Sequence, residues 1–320
     1  MGISIAFIVL GLAVLLIAGD LLVRGAVGLA TALRIPALIV SLTIVAFGTS
    51  APELVVSVQA VLSGKAGIAI GNIIGSNIAN ILLVLGLPAI IYPITTNVAG
   101  LRRHAIVMLA ATAVFAGFAY TSGQIATVAG AVLAVGILLY VSYMGLKARA
   151  ANGDDPMLDE VSEYAEAAGV GWKTGLYIVA GLIGLPLGAH LLVTYGGALA
   201  ADLGIREEVI GLTIIAFGTS LPELATVVAA AFHKKSDVAI GGVVGSNIFN
   251  LLAVGGAAGL VGTAPFDTKS LAFELPVMVA AAVLISVYIF TRRDVGRLSG
   301  LFYVAAYSAF IAGLALSANG

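Results

Sequence analysis

Apolar segments long enough to cross a membrane follow one another along almost the whole chain. A transmembrane helix needs about 20 apolar residues at a rise of about 1.5 Å each. The runs here are continuous and do not alternate residue by residue, which argues against a transmembrane barrel. We therefore predict an all-α integral membrane protein with ten transmembrane helices. Their approximate ranges are 3–23, 37–61, 67–91, 104–120, 124–146, 174–198, 208–232, 238–261, 271–290 and 300–317.

The basic residues between these segments predict how the helices are oriented. With the N-terminus outside, twelve arginines and lysines fall on the inside and three on the outside. Basic loops stay in the cytoplasm, so we expect both termini on the extracellular or periplasmic side of the cell (inner) membrane. The inside set is Arg24, Arg34, Arg102, Arg103, Lys147, Arg149, Lys173, Lys234, Lys235, Arg292, Arg293 and Arg297, and the outside set is Lys65, Arg206 and Lys269.

One long polar segment, residues 147–173, interrupts the apolar pattern in the middle of the chain. It carries six acidic residues and the helix breaker Pro156. Because its spacing lacks the pattern of a calcium-binding loop, an acidic cytoplasmic linker is a better interpretation than a Ca²⁺-sensing patch. The linker divides the chain into a first unit, residues 1–146, and a second, residues 174–320.

The two units repeat each other. An offset of 170 residues aligns 41–53 with 211–223 at 10 of 13 identical positions, and 67–80 with 237–250 at 8 of 14. Each unit contains five predicted helices, an odd number, so the second must enter the membrane from the opposite side. The sequence therefore predicts two inverted five-helix repeats, an arrangement typical of secondary transporters whose site lies where the repeats meet.

The first repeated block gathers oxygen atoms on one side of a helix. Thr49, Ser50 and Glu53 share a broad helical face. Pro52 has no N–H and crowds the carbonyl of Gly48, so the helix should kink there and free carbonyl oxygens near Ala46. Hydroxyl, carboxylate and carbonyl oxygens together form the kind of site that hard cations prefer. The second unit repeats the arrangement with Thr219, Ser220, Pro222 and Glu223.

The two glutamates are costly at these positions. A charged side chain at the bilayer centre costs about 2.5–3.5 kcal/mol on insertion scales. No lysine or arginine inside the predicted spans lies nearby in sequence to pair with Glu53 or Glu223. Coordination of a cation therefore explains them better than a protonated glutamic acid that hydrogen-bonds between helices.

The second repeated block adds Ser76 and Asn80 in the first unit and Ser246 and Asn250 in the second. Each pair has i, i+4 spacing and shares one helical face. Hydrogen bonds between helices are the simple interpretation of such residues in a membrane. The duplication beside the glutamate motifs favours a role as cation ligands instead.

Composition agrees with a membrane protein and removes several other classes. Apolar residues make up 61% of the chain and charged residues only 10%, too few to cover a water-facing surface. A net charge of −1 gives no basis for nucleic-acid binding, and the absence of cysteine excludes disulfides and thiolate metal sites. No nucleotide, flavin or hydrolase motif stands in a usable context. We expect no enzyme activity, no cofactor and no obligate protein partner.

The motifs GTS-x-PE and GSN-x-x-N, each present twice, resemble those of the cation/calcium exchanger superfamily, specifically the prokaryotic Na⁺/Ca²⁺ exchangers. The resemblance covers nearly the whole chain. It implies an electrogenic secondary antiporter that exchanges Na⁺ for Ca²⁺ by alternating access. It also implies that the helices carrying the motifs form a core, across which the first and sixth helices slide as a tilted pair; here these would be about 3–31 and 174–201.

The same resemblance implies ligand roles. Glu53 and Glu223 match the two central carboxylates that bind Ca²⁺, and Thr49 and Thr219 match residues that supply carbonyl and hydroxyl oxygens. Six further residues match two flanking Na⁺ positions. They are Ser50, Ser246 and the carbonyl of Ala46 at one position, and Ser220, Ser76 and the carbonyl of Ala216 at the other.

Asn80 and Asn250 match the pair that flanks the middle position. Some family members carry Asp in place of Asn250, and K⁺-dependent relatives are associated with that Asp. The resemblance therefore favours transport that does not require K⁺. H⁺-coupled relatives usually carry GN-x-x-E in place of GTS-x-PE, which favours Na⁺ as the coupling ion here.

Other functions stay open on the sequence alone. The two glutamates could carry protons in a Ca²⁺/H⁺ antiporter, and Mg²⁺ or another divalent cation could be the substrate. A cation channel or a membrane protein without transport activity is the alternative from another class. A channel needs a continuous pore lined with oxygen atoms, whereas these motifs converge as a closed cage near the midplane.

Overall fold

A computed structural model describes residues 2–150, 171–202, 218–268 and 270–317, and nearly all of them are helical. We number the helical segments of this described part in chain order. They are α1 Gly2–Leu33, α2 Ala37–Thr49, α3 Ala51–Leu62, α4 Ala66–Ile91, α5 Leu101–Ser122, α6 Thr127–Ala150, α7 Trp172–Asp202, α8 Leu221–Phe232, α9 Ser236–Val261, α10 Ser270–Thr291 and α11 Arg297–Ser317.

The all-α prediction is confirmed. In the described residues, eight helices are long and apolar enough to cross a membrane, and the bent pair α2 and α3 would make a ninth. The predicted helix 208–232 lies partly outside the described residues, which include the 12-residue apolar helix α8 from that range. Most of the predicted linker, residues 151–170, also lies outside them.

Two helices are longer than the apolar pattern predicts. Helix α1 continues well beyond residue 23 to Leu33, and α7 runs from Trp172 to Asp202. The apolar pattern places the end of the first helix near residue 23 because the charged residues Asp20 and Arg24 interrupt the apolar run. These two form an i, i+4 ion pair, with 2.8 Å between Nε and Oδ2, which lets the helix continue through the polar stretch.

The helices that carry the repeated motifs lie at the centre of the protein. Helices α4 and α9 are the most enclosed of the long helices, whereas α1, α7 and α11 are the least. Large apolar side chains such as Ile3, Ile17 and Leu138 are exposed on the outer helices. An apolar outer surface around a more polar centre is the arrangement that a lipid environment favours.

Glycines bring α1 into backbone contact with its neighbours. A Cβ on Gly188 of α7 would lie 2.9 Å from the carbonyl oxygen of Gly11, and one on Gly181 would lie 2.7 Å from Cβ of Leu22. A Cβ on Gly19 would lie 2.8 Å from a backbone oxygen of α8. Within a membrane the hydrophobic effect does not drive helices together, so helices associate through close packing, which small residues permit.

Short pairings between loops also join the two units of the chain. A two-residue strand, β1 Gln124–Ile125, pairs antiparallel with β2 Ala264–Pro265. A single bridge pairs Ile94 with Val295, with N–O distances of 3.0 and 2.9 Å. The sequence pattern does not predict these pairings, because each involves too few residues to alternate.

Candidate functional site

In each GTS-x-PE segment, the serine has a non-helical backbone conformation. Ser50 has φ −84° and ψ 1°, and Ser220 has φ −85° and ψ 2°. The next helix starts one residue later with a proline in its first turn, where the missing N–H is not needed. Helices α2 and α3 meet at 42°, so the predicted kink is confirmed. Glu53 and Glu223 lie in the first turns of α3 and α8.

Both glutamates are buried, with 1% of Glu53 and 3% of Glu223 exposed. Their four carboxylate oxygens have no hydrogen-bond partner within the described residues. The ion pairs found in that part of the chain do not involve either glutamate. The two carboxylates also lie close enough to repel each other. Because an uncompensated buried charge is costly, this arrangement favours a cation held between them.

Hydroxyl groups of each unit face the glutamate of the other unit. The Thr219 side chain lies beside the Glu53 carboxylate, outside strict hydrogen-bonding geometry. Those of Thr49 and Ser50 lie beside the Glu223 carboxylate in the same way. The two motifs, 170 residues apart, therefore meet in one site.

The serines and asparagines of the second motif also reach across between the units. Thr49 Oγ1 lies 3.3 Å from Oγ of Ser246. The side-chain amide of Asn80 donates to Oδ1 of Asn247 at 3.3 Å, while both polar atoms of the Asn250 side chain lack a partner within the described residues. Amide oxygens that are buried and partly unpaired are available to a cation.

Both asparagines stand where the helix widens. The α-helical segment that contains Ser76 gives way to a π-helical segment, Asn80–Val84, and the same change occurs at Asn250–Val254. Such wide turns are rare and occur often at functional sites. Ser76 is buried one turn before the first of these segments.

The described residues include one of the two predicted carbonyl ligands. The Ala46 carbonyl is buried, but it accepts the Ser50 N–H at 3.0 Å and the Thr49 hydroxyl at 3.3 Å. A cation at that oxygen would take the place of the Thr49 hydroxyl. Ala216 lies outside the described residues.

The site offers few charged ligands. The described residues contain no group of three His, Cys, Asp or Glu side chains placed to hold a metal ion. A cation here would depend on two carboxylates supplemented by hydroxyl, amide and carbonyl oxygens. That donor set suits Ca²⁺ or Na⁺ and does not suit a metal that prefers nitrogen or sulfur.

Sequence reasoning missed Asn72. Its side-chain amide donates to the backbone carbonyl of Glu53 at 3.1 Å and to Oγ of Ser57 at 2.9 Å, which ties α4 to the first turn of α3. The sequence repeat could have indicated this contact, because both Asn72 and Ser57 are polar in the first unit and both are replaced by non-polar residues at the equivalent positions of the second unit. Gly242 stands in place of Asn72, and Val227 in place of Ser57.

A second contact outside the site also does not follow from the sequence pattern. Asp20 in α1, which pairs with Arg24, accepts a hydrogen bond from Nε2 of His233, just after α8. Of the other histidines, His104 contacts the hydroxyl of Tyr140.

The sequence matches a family model described as "sodium/calcium exchanger protein" over residues 3–147 and 173–316. The inner membrane protein YrbG of Escherichia coli (strain K12) is 33% identical, over 96% of this chain and 95% of YrbG. The sodium/calcium exchanger MaX1 of Methanosarcina acetivorans is 30% identical, over 97% of each. A solved structure of the sodium-calcium exchanger NCX_Mj, soaked with 2.5 mM Na⁺ and 0.1 mM Ca²⁺, matches with a TM-score of 0.82 at 30% identity, covering 98% of each chain.

Replacing Asn72 by Gly should lower the stability of the protein by about 0.6–1.7 kcal/mol, the range for hydrogen bonds between membrane helices. The Ser57→Val/Asn72→Gly double variant copies the residues of the second unit and leaves no hydroxyl unpaired. It should recover part of the loss. Thermal unfolding of the purified proteins in detergent measures both effects. An Asn72→Gly variant as stable as the unchanged protein would contradict a stabilising role for the Asn72 contacts.

Proposed function

The chain belongs to the sodium/calcium exchanger protein family, and on that premise we propose that it exchanges Na⁺ for Ca²⁺ across the membrane by alternating access. The observation that carries the proposal is the pair of buried glutamates, Glu53 and Glu223, which lie together without a basic partner in the described residues. Two carboxylates balance the charge of one Ca²⁺. Exclusive occupancy of the same carboxylates by Ca²⁺ or by Na⁺ would couple the two ions.

We assign the ions as follows. Glu53 and Glu223 hold Ca²⁺ at the centre with oxygens from Thr49 and Thr219. Two flanking Na⁺ positions lie on either side, and their proximity to the carboxylates lets Na⁺ displace Ca²⁺. The flanking ligands are Ser50, Ser246 and the Ala46 carbonyl on one side, and Ser220, Ser76 and the Ala216 carbonyl on the other. Asn80 and Asn250 flank the middle position.

Charge counting supports electrogenic exchange. Once Ca²⁺ leaves the central position, that position and the two flanking ones together have room for more Na⁺ ions than the two that balance one Ca²⁺, so net charge should cross the membrane in each cycle. Asn250 is neutral, whereas K⁺-dependent relatives are associated with an Asp at this position. We therefore propose that exchange does not require K⁺.

Alternating access needs a mobile element beside a fixed core. Helices α1 and α7 pack along each other through glycines and are among the least enclosed helices, whereas α4 and α9 are the most enclosed. This division supports a pair of α1 and α7 that slides across the core while the ion site stays in place. One chain contains both helices and the core, so we propose that it transports without an obligate protein partner.

We also propose ten transmembrane helices in two inverted five-helix repeats, residues 1–146 and 174–320, joined by the linker 147–173. Ser50 and Ser220, which directly precede α3 and α8, support this proposal because their backbone angles agree within about a degree. The loop charges support both termini on the extracellular or periplasmic side of the cell membrane.

Lys65 and Lys235 are equivalent positions in the two repeats and should lie on opposite sides of the membrane. The chain has no cysteine, so Lys65→Cys and Lys235→Cys each introduce a single thiol. A membrane-impermeant maleimide added outside intact cells should label Lys65→Cys alone, and label Lys235→Cys only after permeabilisation. Labelling of both thiols from the same side would contradict the inverted repeat.

An outward Na⁺ gradient should drive ⁴⁵Ca²⁺ uptake into proteoliposomes of the purified protein. Because more than two Na⁺ would leave per Ca²⁺, an inside-negative potential should slow this flux in the absence of K⁺ and an inside-positive one should speed it. Uptake driven by a pH gradient without Na⁺ would instead favour the Ca²⁺/H⁺ antiporter. Flux that needs no gradient of either ion and saturates poorly would favour a channel.

Glu53→Gln and Glu223→Gln should each reduce Na⁺-driven Ca²⁺ uptake to background, because one carboxylate then faces Ca²⁺ in a site of low dielectric. The matched control is Glu274→Gln in α10, a glutamate at the end of a membrane helix outside the site. It should retain flux. Normal membrane expression and gel-filtration profiles separate loss of transport from misfolding. Flux retained in both site variants would refute the assignment of the two glutamates.

A further inference from the structure

A cavity of about 520 Å³ lies between the start of α5 and the end of α10, away from the buried glutamates. Arginines dominate its charge. Arg102 and Arg103 belong to the first turn of α5, and Arg292 follows α10 directly. The loop 96–100 and Ile289 supply the rest of the lining.

No ion pair within the described residues balances the positive charge of this cavity. None of the lining residues is acidic. The ion pairs of the described residues involve none of the three arginines. Arg102 is held in place because its Nη2 donates to the carbonyl of Phe290 at 2.7 Å. Three guanidinium groups that share one cavity repel each other unless an anion joins them.

The equivalent place in the second unit is built in the opposite way. At the 170-residue offset, Asn97 becomes Asp267, whose Oδ1 accepts the N–H of Ser270 at 2.6 Å. The three arginines have no basic counterpart there, since the equivalent residues are Ala272, Phe273 and Ser122. By sequence, that location has the carboxylate of Asp267 and one basic residue, Lys269 in place of Ala99, so it has no cluster of cations. The charge of the cavity is therefore particular to the first location and does not follow from the fold.

Apolar side chains stand beside the charged cavity. Ile106, one turn along α5 from Arg103, is 57% exposed, and Phe290, two residues before Arg292, is 37% exposed. The cavity is at the ends of two membrane helices, on the side that the loop charges predict to be cytoplasmic. A molecule with an anionic head and an apolar tail fits both features. Basic pockets between helices on that side commonly hold acidic lipid headgroups.

We propose that this cavity binds a phosphate group, and that the group is the headgroup of an acidic phospholipid. Guanidinium groups match phosphate oxygens with paired hydrogen bonds. The volume exceeds what a phosphate ion alone would fill and has room for a glycerol headgroup. Because Arg102 and Arg103 belong to the first unit and Arg292 to the second, the bound phosphate joins the two units beside the Ile94–Val295 bridge.

The test uses the purified full chain in a neutral detergent, with thermal unfolding as the readout. Three probes are added separately: short-chain phosphatidylglycerol, short-chain phosphatidylcholine and inorganic phosphate. Phosphatidylglycerol should raise the midpoint temperature in a saturable way, because it binds the folded state alone. Phosphatidylcholine should not.

The Arg103→Gln/Arg292→Gln variant should need about 30-fold more phosphatidylglycerol for half of the shift, since each arginine near an acidic headgroup contributes about 1 kcal/mol. The matched control is Arg34→Gln/Lys234→Gln. These basic residues have left-handed backbone angles like Arg292, are on the same predicted side and lie outside the cavity. The control should respond as the unchanged protein does.

A third variant, Arg103→Lys/Arg292→Lys, keeps the charge and tests the proposal if the glutamine variant does not fold. It should bind more weakly than the unchanged protein, because lysine lacks the planar fork of arginine. A shift produced by inorganic phosphate at similar concentration, and lost in the variants, supports the phosphate site but makes a soluble phosphate its occupant. An equal shift with phosphatidylcholine, an equal loss in the control variant, or an unchanged response in both arginine variants would overturn the proposal.

Discussion

Two carboxylates buried side by side, without a basic side chain of the described chain to balance them, are the constraint on which the rest of this structure depends. Glu53 and Glu223 repel each other in an apolar interior, where each charge alone costs about 2.5–3.5 kcal/mol. Packing alone does not require such an arrangement. A divalent cation, or several monovalent ones, would turn the repulsion into attraction, as the proposed exchange of cations requires.

The local backbone serves this constraint in the same way in both units. In both units, a serine with non-helical backbone angles directly precedes a helix that has a proline in its first turn, so each glutamate stands in a first turn. There the N–H groups at the helix start favour negative charge. The π-helical segments that begin at Asn80 and Asn250 widen α4 and α9 at equivalent positions of the two units. Irregular backbone of this kind is tolerated within a membrane only where protein or a cavity surrounds it.

The outer helices are connected to the core in a different manner. Glycines let the backbones of α1 and α7 approach closely, and in the described residues α1 makes few polar contacts with the core. The hydrogen bond from His233 to Asp20 is one of these, and Arg24 pairs with the same carboxylate. A helix held mainly by small residues can shift with little rearrangement, whereas the core around the glutamates is held by cross-unit hydrogen bonds such as that from Ser41 to the Val238 carbonyl at 2.7 Å. This difference is what alternating access requires.

The structural features that depend on residues close together in the chain could be predicted from the sequence. Apolar run length predicted the all-α membrane fold, the spacing of Thr49, Ser50, Pro52 and Glu53 predicted the kink, and the 170-residue repeat predicted that two such motifs matter together. These are local properties, because helix formation and helix breaking depend on residues within a few positions of each other.

Which side chains contact each other across the site depends on the tertiary structure. That Thr219 faces Glu53, that Asn80 bonds Asn247 and that His233 reaches Asp20 depends on how distant helices pack. The Ala46 carbonyl is a local exception: the kink was expected to free it, but it accepts hydrogen bonds from Thr49 and Ser50, three and four residues later in the chain. Contacts between residues more than 150 positions apart depend on helix crossing and side-chain shape. No pattern within one segment contains that information.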